Sequence, residues 1–333
     1  MQYPRLARPQ WFEVFAAVNL IVIVVALRHI TNAPLETLPR LLPSLMAGFL
    51  GQVLVGTGIR AALAWRRGHL RQLLHVFCSA SWLIDTLRMA IFSALTVHAY
   101  GWIKLAVPLL HHRLFDREIS DLGRAIFFGY SPGAFIAALF SSPLIMRAID
   151  WAYANLFIVT LNVSVVCFVS SPSRRLRVAF MDANTTMWLI GAWVYLAVPT
   201  LGPAYVFPES FLPLAPLLPH TQILQRMLMT NYQAVLGYLH GARHPVNIFL
   251  GIGAFPSLHV AFQALVWLWM RRLWRWAGFL FGLIAITIFL GSVITGWHYF
   301  MDGVAGFLLA WVCFRASLRW HRIDRFLAIC GVR

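Results

Sequence analysis

Apolar positions dominate this chain in runs long enough to cross a lipid hydrocarbon core. Such a crossing takes about 20 predominantly apolar residues at about 1.5 Å per helical residue. By that measure the pattern predicts helical spans near Trp11–Ile30, Leu42–Trp65, Arg124–Met146, Ile149–Ser170, Thr186–Leu201, Pro256–Met270, Trp276–Ile294 and His298–Leu318. Two of these are short and must borrow flanking residues. The stretch Leu70–Leu110 is apolar too, but Asp85, Arg88, His98, Gly101, Lys104 and Pro108 interrupt it. It reads as one span, a re-entrant hairpin or an interfacial helix, with Asp85 and Arg88 spaced to pair on one helix face. Between Leu201 and Phe255 lies a long connection with five prolines, Pro203, Pro208, Pro213, Pro216 and Pro219, and a short helix expected over His220–His240. Long ordered connections tend to carry function.

Composition sharpens this picture. Hydrophobic residues make up 60% of the 333 positions and charged residues 11%. A soluble domain carries about 25% charged residues to cover its surface. The expected fold class is therefore all-α, a polytopic membrane helical bundle. Three regions are expected: an N-terminal membrane region over residues 1–123 with two spans plus a re-entrant or interfacial segment, a six-helix core over 124–320 with its loop at 201–255, and a basic tail over 321–333.

The net charge of +16, from 27 basic and 11 acidic residues, first suggests a polyanionic partner. The arginines sit between the apolar runs instead, at Arg66-Arg67-Arg71, Arg174-Arg175-Arg177, Arg271-Arg272-Arg275 and Arg315-Arg319-Arg322-Arg325. Lys104 is the single lysine. Basic residues mark cytoplasmic loops and meet anionic lipid favourably. The charge therefore reads as topology, with no nucleic-acid partner. Both termini are expected in the cytoplasm, in a bacterial inner membrane, with His298, the 201–255 loop and the Arg147–Asp150 turn on the outer face and Arg124 inside. Leu70–Leu110 must then cross twice or not at all. Arg5 and Arg8 precede the first apolar run without a good cleavage site, so an uncleaved first span is expected. Cys78, Cys167, Cys313 and Cys330 have no metal or redox spacing, and no metal or cofactor is expected.

Two stretches could carry chemistry. Gly253-Ala254-Phe255-Pro256-Ser257-Leu258-His259 lies where the loop turns into an apolar helix. Backbone N–H groups at a helix start favour an anion, and Ser257 can add a hydroxyl. Gly296-Trp297-His298-Tyr299-Phe300-Met301-Asp302-Gly303 places His298 and Asp302 four residues apart, hence on one helix face. Two antiparallel helices separate His259 from His298 and return both to the same end. Two histidines and a carboxylate suit phosphoryl transfer through a phosphohistidine.

These residues resemble the type 2 phosphatidic acid phosphatase superfamily. Its motifs are Lys-x6-Arg-Pro, then Pro-Ser-Gly-His, then Ser-Arg-x5-His-x3-Asp. The resemblance implies His259 as general acid, His298 as nucleophile and Asp302 as its partner. Pro256-Ser257-Leu258-His259, His298-Tyr299-x-x-Asp302 and Pro199-Thr200-Leu201-Gly202-Pro203-Ala204-Tyr205 are similar to the inositol phosphorylceramide synthase branch, an inositolphosphotransferase-like group. It covers roughly Arg124 to Leu318. Lys-x6-Arg-Pro is missing, and Gly291-Ser292 stands where Ser-Arg would be. Two phosphate-binding cations are thus absent, and Arg226 and Arg243 are the candidates to replace them, with Tyr205, Asn231 and His244 as further substrate contacts.

The expected function is a membrane lipid phosphotransferase acting on phospholipid or sphingolipid-like substrates. A lipid phosphatase of the same superfamily, with water as acceptor, is the alternative. A non-catalytic transporter or scaffold is a third reading, resting on the missing arginine and on Asp85 and Arg88.

Overall fold

The computed structural model describes residues 8–30, 37–238, 242 and 244–323. The first elements are α1 (Trp11–Ile30), α2 (Thr37–Arg66), a short α3 (Leu70–Phe77) and α4 (Ala80–Leu110). Then come α5 (Asp116–Ile126), α6 (Pro132–Leu139), α7 (Pro143–Ser164) with a π turn at Val165–Val169, and α8 (Arg174–Ala197). The long connection holds α9 (Pro203–Val206) and α10 (Pro219–Gly237). The chain closes with α11 (Leu258–Leu273), α12 (Arg275–Ile294) and α13 (Phe300–His321). No strand occurs among the described residues, and six helices there are long and apolar enough to cross a membrane. The chain is an all-α polytopic membrane bundle.

Two segments depart from the expected spans. Leu70–Leu110 supplies one 31-residue helix, α4, after the short α3. Two of its polar interruptions, Asp85 and Arg88, are met from neighbouring helices. Asp85 accepts from Arg174 Nε at 2.5 Å, and Arg88 Nε donates to Glu13 at 2.7 Å. The expected Asp85–Arg88 pair is only a 3.9 Å approach. Conversely, Arg124–Met146 is not one helix. Phe128 and Gly129 adopt positive φ, and Pro132 and Pro143 each begin a new helix behind Ser131 and Ser142. Proline suits the first helical turn and cannot continue a preceding one. A single helix over Ala80–Leu110 replaces the two or zero crossings expected there, and Arg124, expected at the opposite end from His298, borders the same groove as His298.

The core lies among α4, α8, α11 and α13. Phe168, Phe180, Phe262 and Trp269 are buried in one cluster with Met187 and Leu265. α11 and α13 approach so closely that a Cβ on Gly306 would collide with the Ser257 carbonyl. That contact sets the starts of these two helices against one another.

Candidate active site

The two histidine stretches meet where α11 and α13 begin. Ser257 N-caps α11, its Oγ accepting from the Val260 N–H at 3.4 Å, and its own N–H donates to the Asp302 carbonyl at 2.9 Å. His259 follows in the first turn, its ring centroid 4.6 Å from Phe157 and 5.4 Å from Tyr153. At this turn the N–H groups have no intrahelical partner and present partial positive charge.

His298 faces it from the tight connection before α13, with ring centroids 6.1 Å apart and planes at 54°. The connection is shaped by Gly296 at φ 76°, where a Cβ would collide with Phe211 and Ala204. The His298 N–H donates to the Ser292 carbonyl at 3.0 Å. Its Nδ1 lies 2.8 Å from the Ala254 carbonyl and 3.5 Å from Asp302 Oδ2. Burial, and then the Lys104 ammonium, push the imidazole pKa down to about 3, against the Ala254 bond. A neutral ring must donate from Nδ1 to that carbonyl, which leaves the lone pair on Nε2. Near-attack contacts run about 3–3.5 Å. Substrate phosphorus must come within that range of the His298 Nε2 for attack.

Asp302 is fully buried. Its Oδ2 accepts from the Tyr299 N–H at 2.8 Å, and with Tyr299 it forms a capping box at the start of α13. Asp302 Oδ1, Tyr153 Oη and Trp297 Nε1 are buried with no hydrogen-bond partner among the described residues. Buried polar atoms are seldom left unpaired, and unpaired ones clustered at a site point to a missing ligand. Tyr153 and Trp297 stack at 6.4 Å.

Of the other expected contacts, Ser257 is in place. Tyr205 packs edge-on to Trp297 at 6.4 Å, but its hydroxyl donates to the Gln225 carbonyl at 3.1 Å. Asn231 ties the long connection together, taking the Asn247 N–H at 2.8 Å and donating to the Leu250 carbonyl at 3.0 Å. The His244 carbonyl accepts from the Tyr238 hydroxyl. Arg226 is exposed on α10, next to Gln225, whose Nε2 donates to the Thr295 carbonyl at 3.2 Å. Arg243 lies outside the described residues. Ser292, at the position of the missing arginine, turns its hydroxyl back to the Phe289 carbonyl at 2.7 Å.

Three residues that sequence reasoning passed over hold the site in shape. Asp116, at the start of α5, accepts from the backbone N–H groups of Leu201 at 3.0 Å and Gly202 at 2.9 Å, and from the Tyr299 hydroxyl at 3.0 Å. Burial raises its carboxyl pKa, and those donors oppose the shift. It thereby joins the end of α8 to the residue beside His298. Asp150 accepts from the His220 and Thr221 N–H groups, both at 2.9 Å, anchoring the start of α10. Thr200 holds the histidine loop, its Oγ1 accepting from the Phe255 N–H at 2.7 Å and its carbonyl from the Ala254 N–H at 3.0 Å. Asp150 had a signal as an acid in an apolar run and Thr200 as part of the Pro199–Tyr205 motif, whereas Asp116 was hidden in a charged stretch.

A groove of about 360 Å³ opens beside His298, bordered by Gly123, Pro132, Pro203, Phe211 and Phe300. No group of histidine, cysteine or carboxylate residues among those described could hold a metal ion. No curated protein and no solved structure matches the chain. The PAP2 superfamily profile matches residues 117–316, a segment that contains both histidines and Asp302 and begins just after Asp116. With that match over more than half its length, the chain belongs to the PAP2 superfamily.

Proposed function

We propose that the protein is a membrane lipid phosphotransferase working through a phosphohistidine on His298, of the inositol phosphorylceramide synthase-like kind. The observation that carries this reading is the facing of His259 and His298 at 6.1 Å, with His298 Nδ1 held at 2.8 Å by the Ala254 carbonyl. In the first step His298 Nε2 attacks phosphorus. The N–P bond forms, the bond from phosphorus to the departing alcohol oxygen breaks, and His259 gives that oxygen a proton. In the second step an acceptor hydroxyl attacks phosphorus, His259 takes its proton, and the N–P bond breaks. Asp302 stabilises the charge that develops on the His298 ring.

The groove beside His298 supports an amphiphilic substrate. Its walls are largely apolar, while Ser120, Arg124, Glu209 and Ser210 also border it. Placement of the site on the outer face of a bacterial inner membrane is supported by the helix directions. Arg66, Arg174, Arg271 and Arg319 fall at helix ends remote from the histidines, as cytoplasmic arginines should.

The test is a pair of assays on purified protein in lipid: transfer of a labelled head group to a lipid or polyol acceptor, and release of inorganic phosphate. Head-group transfer lost in His298→Ala is the expected result. Phosphate release without transfer would instead make the protein a lipid phosphatase. Activity retained in His298→Ala would end the phosphohistidine reading.

A further inference from the structure

The site has a nucleophile, an acid and a carboxylate, but the motif cations that would meet a phosphate are missing. Ser292 carries no charge, and Arg226 is exposed on α10. A phosphoryl group in a low-dielectric pocket needs positive charge aimed at its oxygens.

One cation approaches the loop that leads into the site, from a helix that the superfamily profile does not cover. Lys104 is near the end of α4, thirteen residues before the matched segment begins at 117. Its side chain runs along the loop that leads into the Pro-Ser-Leu-His turn. A Cβ on Gly251 would sit 2.9 Å from Lys104 Cγ, and one on Gly253 would sit 3.3 Å from Lys104 Cε. The two glycines form the channel in which the lysine lies. Gly253 adjoins Ala254, whose carbonyl holds His298.

The lysine is held without being neutralised. Its Nζ donates to the Tyr100 hydroxyl at 3.3 Å and sits 5.0 Å from the Tyr195 ring centroid. Among the described residues it pairs with no carboxylate, whereas Asp85, Glu13 and Asp182 each find a partner elsewhere in the bundle. An ammonium kept among aromatic faces retains its charge for an incoming anion. An unpaired cation within a membrane bundle is costly, and a ligand that compensates it explains its retention.

We propose that Lys104 is the phosphate-binding cation of this site, supplied by α4 in place of the missing motif residues. The proposal rests on the phosphoryl-transfer reading. The ammonium meets the non-bridging oxygens while His298 attacks, so the N-terminal region completes the active site.

The experiment compares wild type, Lys104→Met and Lys104→Arg in lipid, with orthovanadate as the probe. Two readouts are taken: thermal stabilisation by vanadate, which needs no turnover, and the KM and kcat of head-group transfer. Lys104→Met should weaken vanadate binding and raise KM by about 10- to 100-fold, the range for one lost charge-assisted hydrogen bond. Lys104→Arg should recover part of both. Vanadate affinity unchanged in a folded Lys104→Met protein would overturn the proposal. So would a loss of thermal stability alone, with the remaining folded protein binding vanadate normally. Wild type that binds vanadate but transfers and hydrolyses nothing would sink the phosphoryl-transfer reading, and the binding comparison would still decide the role of Lys104.

Discussion

At the end of the bundle where α4 and α8 begin, charges meet opposite charges or amides. Asp85 accepts from Arg174 at 2.5 Å, Glu13 from Arg88 at 2.7 Å, and Asp182 lies 2.6 Å from His321 Nε2 while accepting the Phe12 N–H at 2.9 Å. Arg177, buried, donates to Thr86 at 2.5 Å and lies over the Trp82 ring. At the opposite end Asp302 Oδ1, Tyr153 Oη and Trp297 Nε1 lack partners, and Lys104 faces aromatic rings. The difference separates two uses of polar groups in an apolar bundle. At the first end ion pairs fasten α1, α4, α8 and α13 together, although Arg177 Nε there has no partner. At the second, the unpaired carboxylate, hydroxyl and indole atoms gather beside the histidines. The transporter reading drew on Asp85 and Arg88, and both lie at the fastened end.

Substitutions at the two ends should therefore fail in different ways. The largest effect belongs to His298→Ala, which should lower transfer by about 10⁴-fold or more while the protein stays folded, as loss of a nucleophile does. Circular dichroism and transfer rate measured on the same sample would check this. His259→Ala should follow with about 10²- to 10⁴-fold, the range for a general acid–base group. An acceptor-independent reaction of a donor with a good leaving group should be spared most of that loss.

Asp116→Ala sits between the two classes. It removes the acceptor shared by Leu201, Gly202 and Tyr299. Leaving buried donors unpaired costs on the order of 1–3 kcal/mol. Lower thermal stability together with lower kcat is expected, because the clamp joins the fold to the residue beside His298. Asp85→Asn, at the fastened end, should lower stability and leave turnover per folded molecule unchanged. A fall in kcat there would blur the contrast between the two ends. The smallest effect is expected from Gly251→Ala, which crowds Lys104 Cγ without removing its charge. It should raise KM less than Lys104→Met does.

Much of the fold was legible because apolar length alone specifies a membrane helix. Trp11–Ile30 agrees with α1 residue for residue. The failures came where polar residues were read one-dimensionally. Asp85 and Arg88 looked like interruptions, and only partners far along the chain, Arg174 and Glu13, let α4 continue through them. α8 likewise begins twelve residues before its expected span, since Arg177 Nη2 and the Asp182 carboxylate find partners on other helices. In the 124–146 segment hydropathy outweighed Pro132 and Gly129.

At the site, the histidines and Asp302 were legible from spacing, and the structure brings them together. The Ala254 carbonyl that orients His298 was not, because a backbone acceptor leaves no mark in sequence. Lys104 was visible as the single lysine, but its distance of 155 residues from His259 hid its place. Arg226 was proposed on loop position alone, and it stands exposed on helix α10.

The central claim is that phosphate passes through His298. Purified wild type in lipid would be mixed with a donor labelled on its phosphorus, quenched in alkali and digested, and the labelled peptide identified by mass spectrometry. The account predicts an acid-labile, alkali-stable phosphate on His298, absent from His298→Ala. Label on another residue, or full transfer activity with no label on His298, would contradict it.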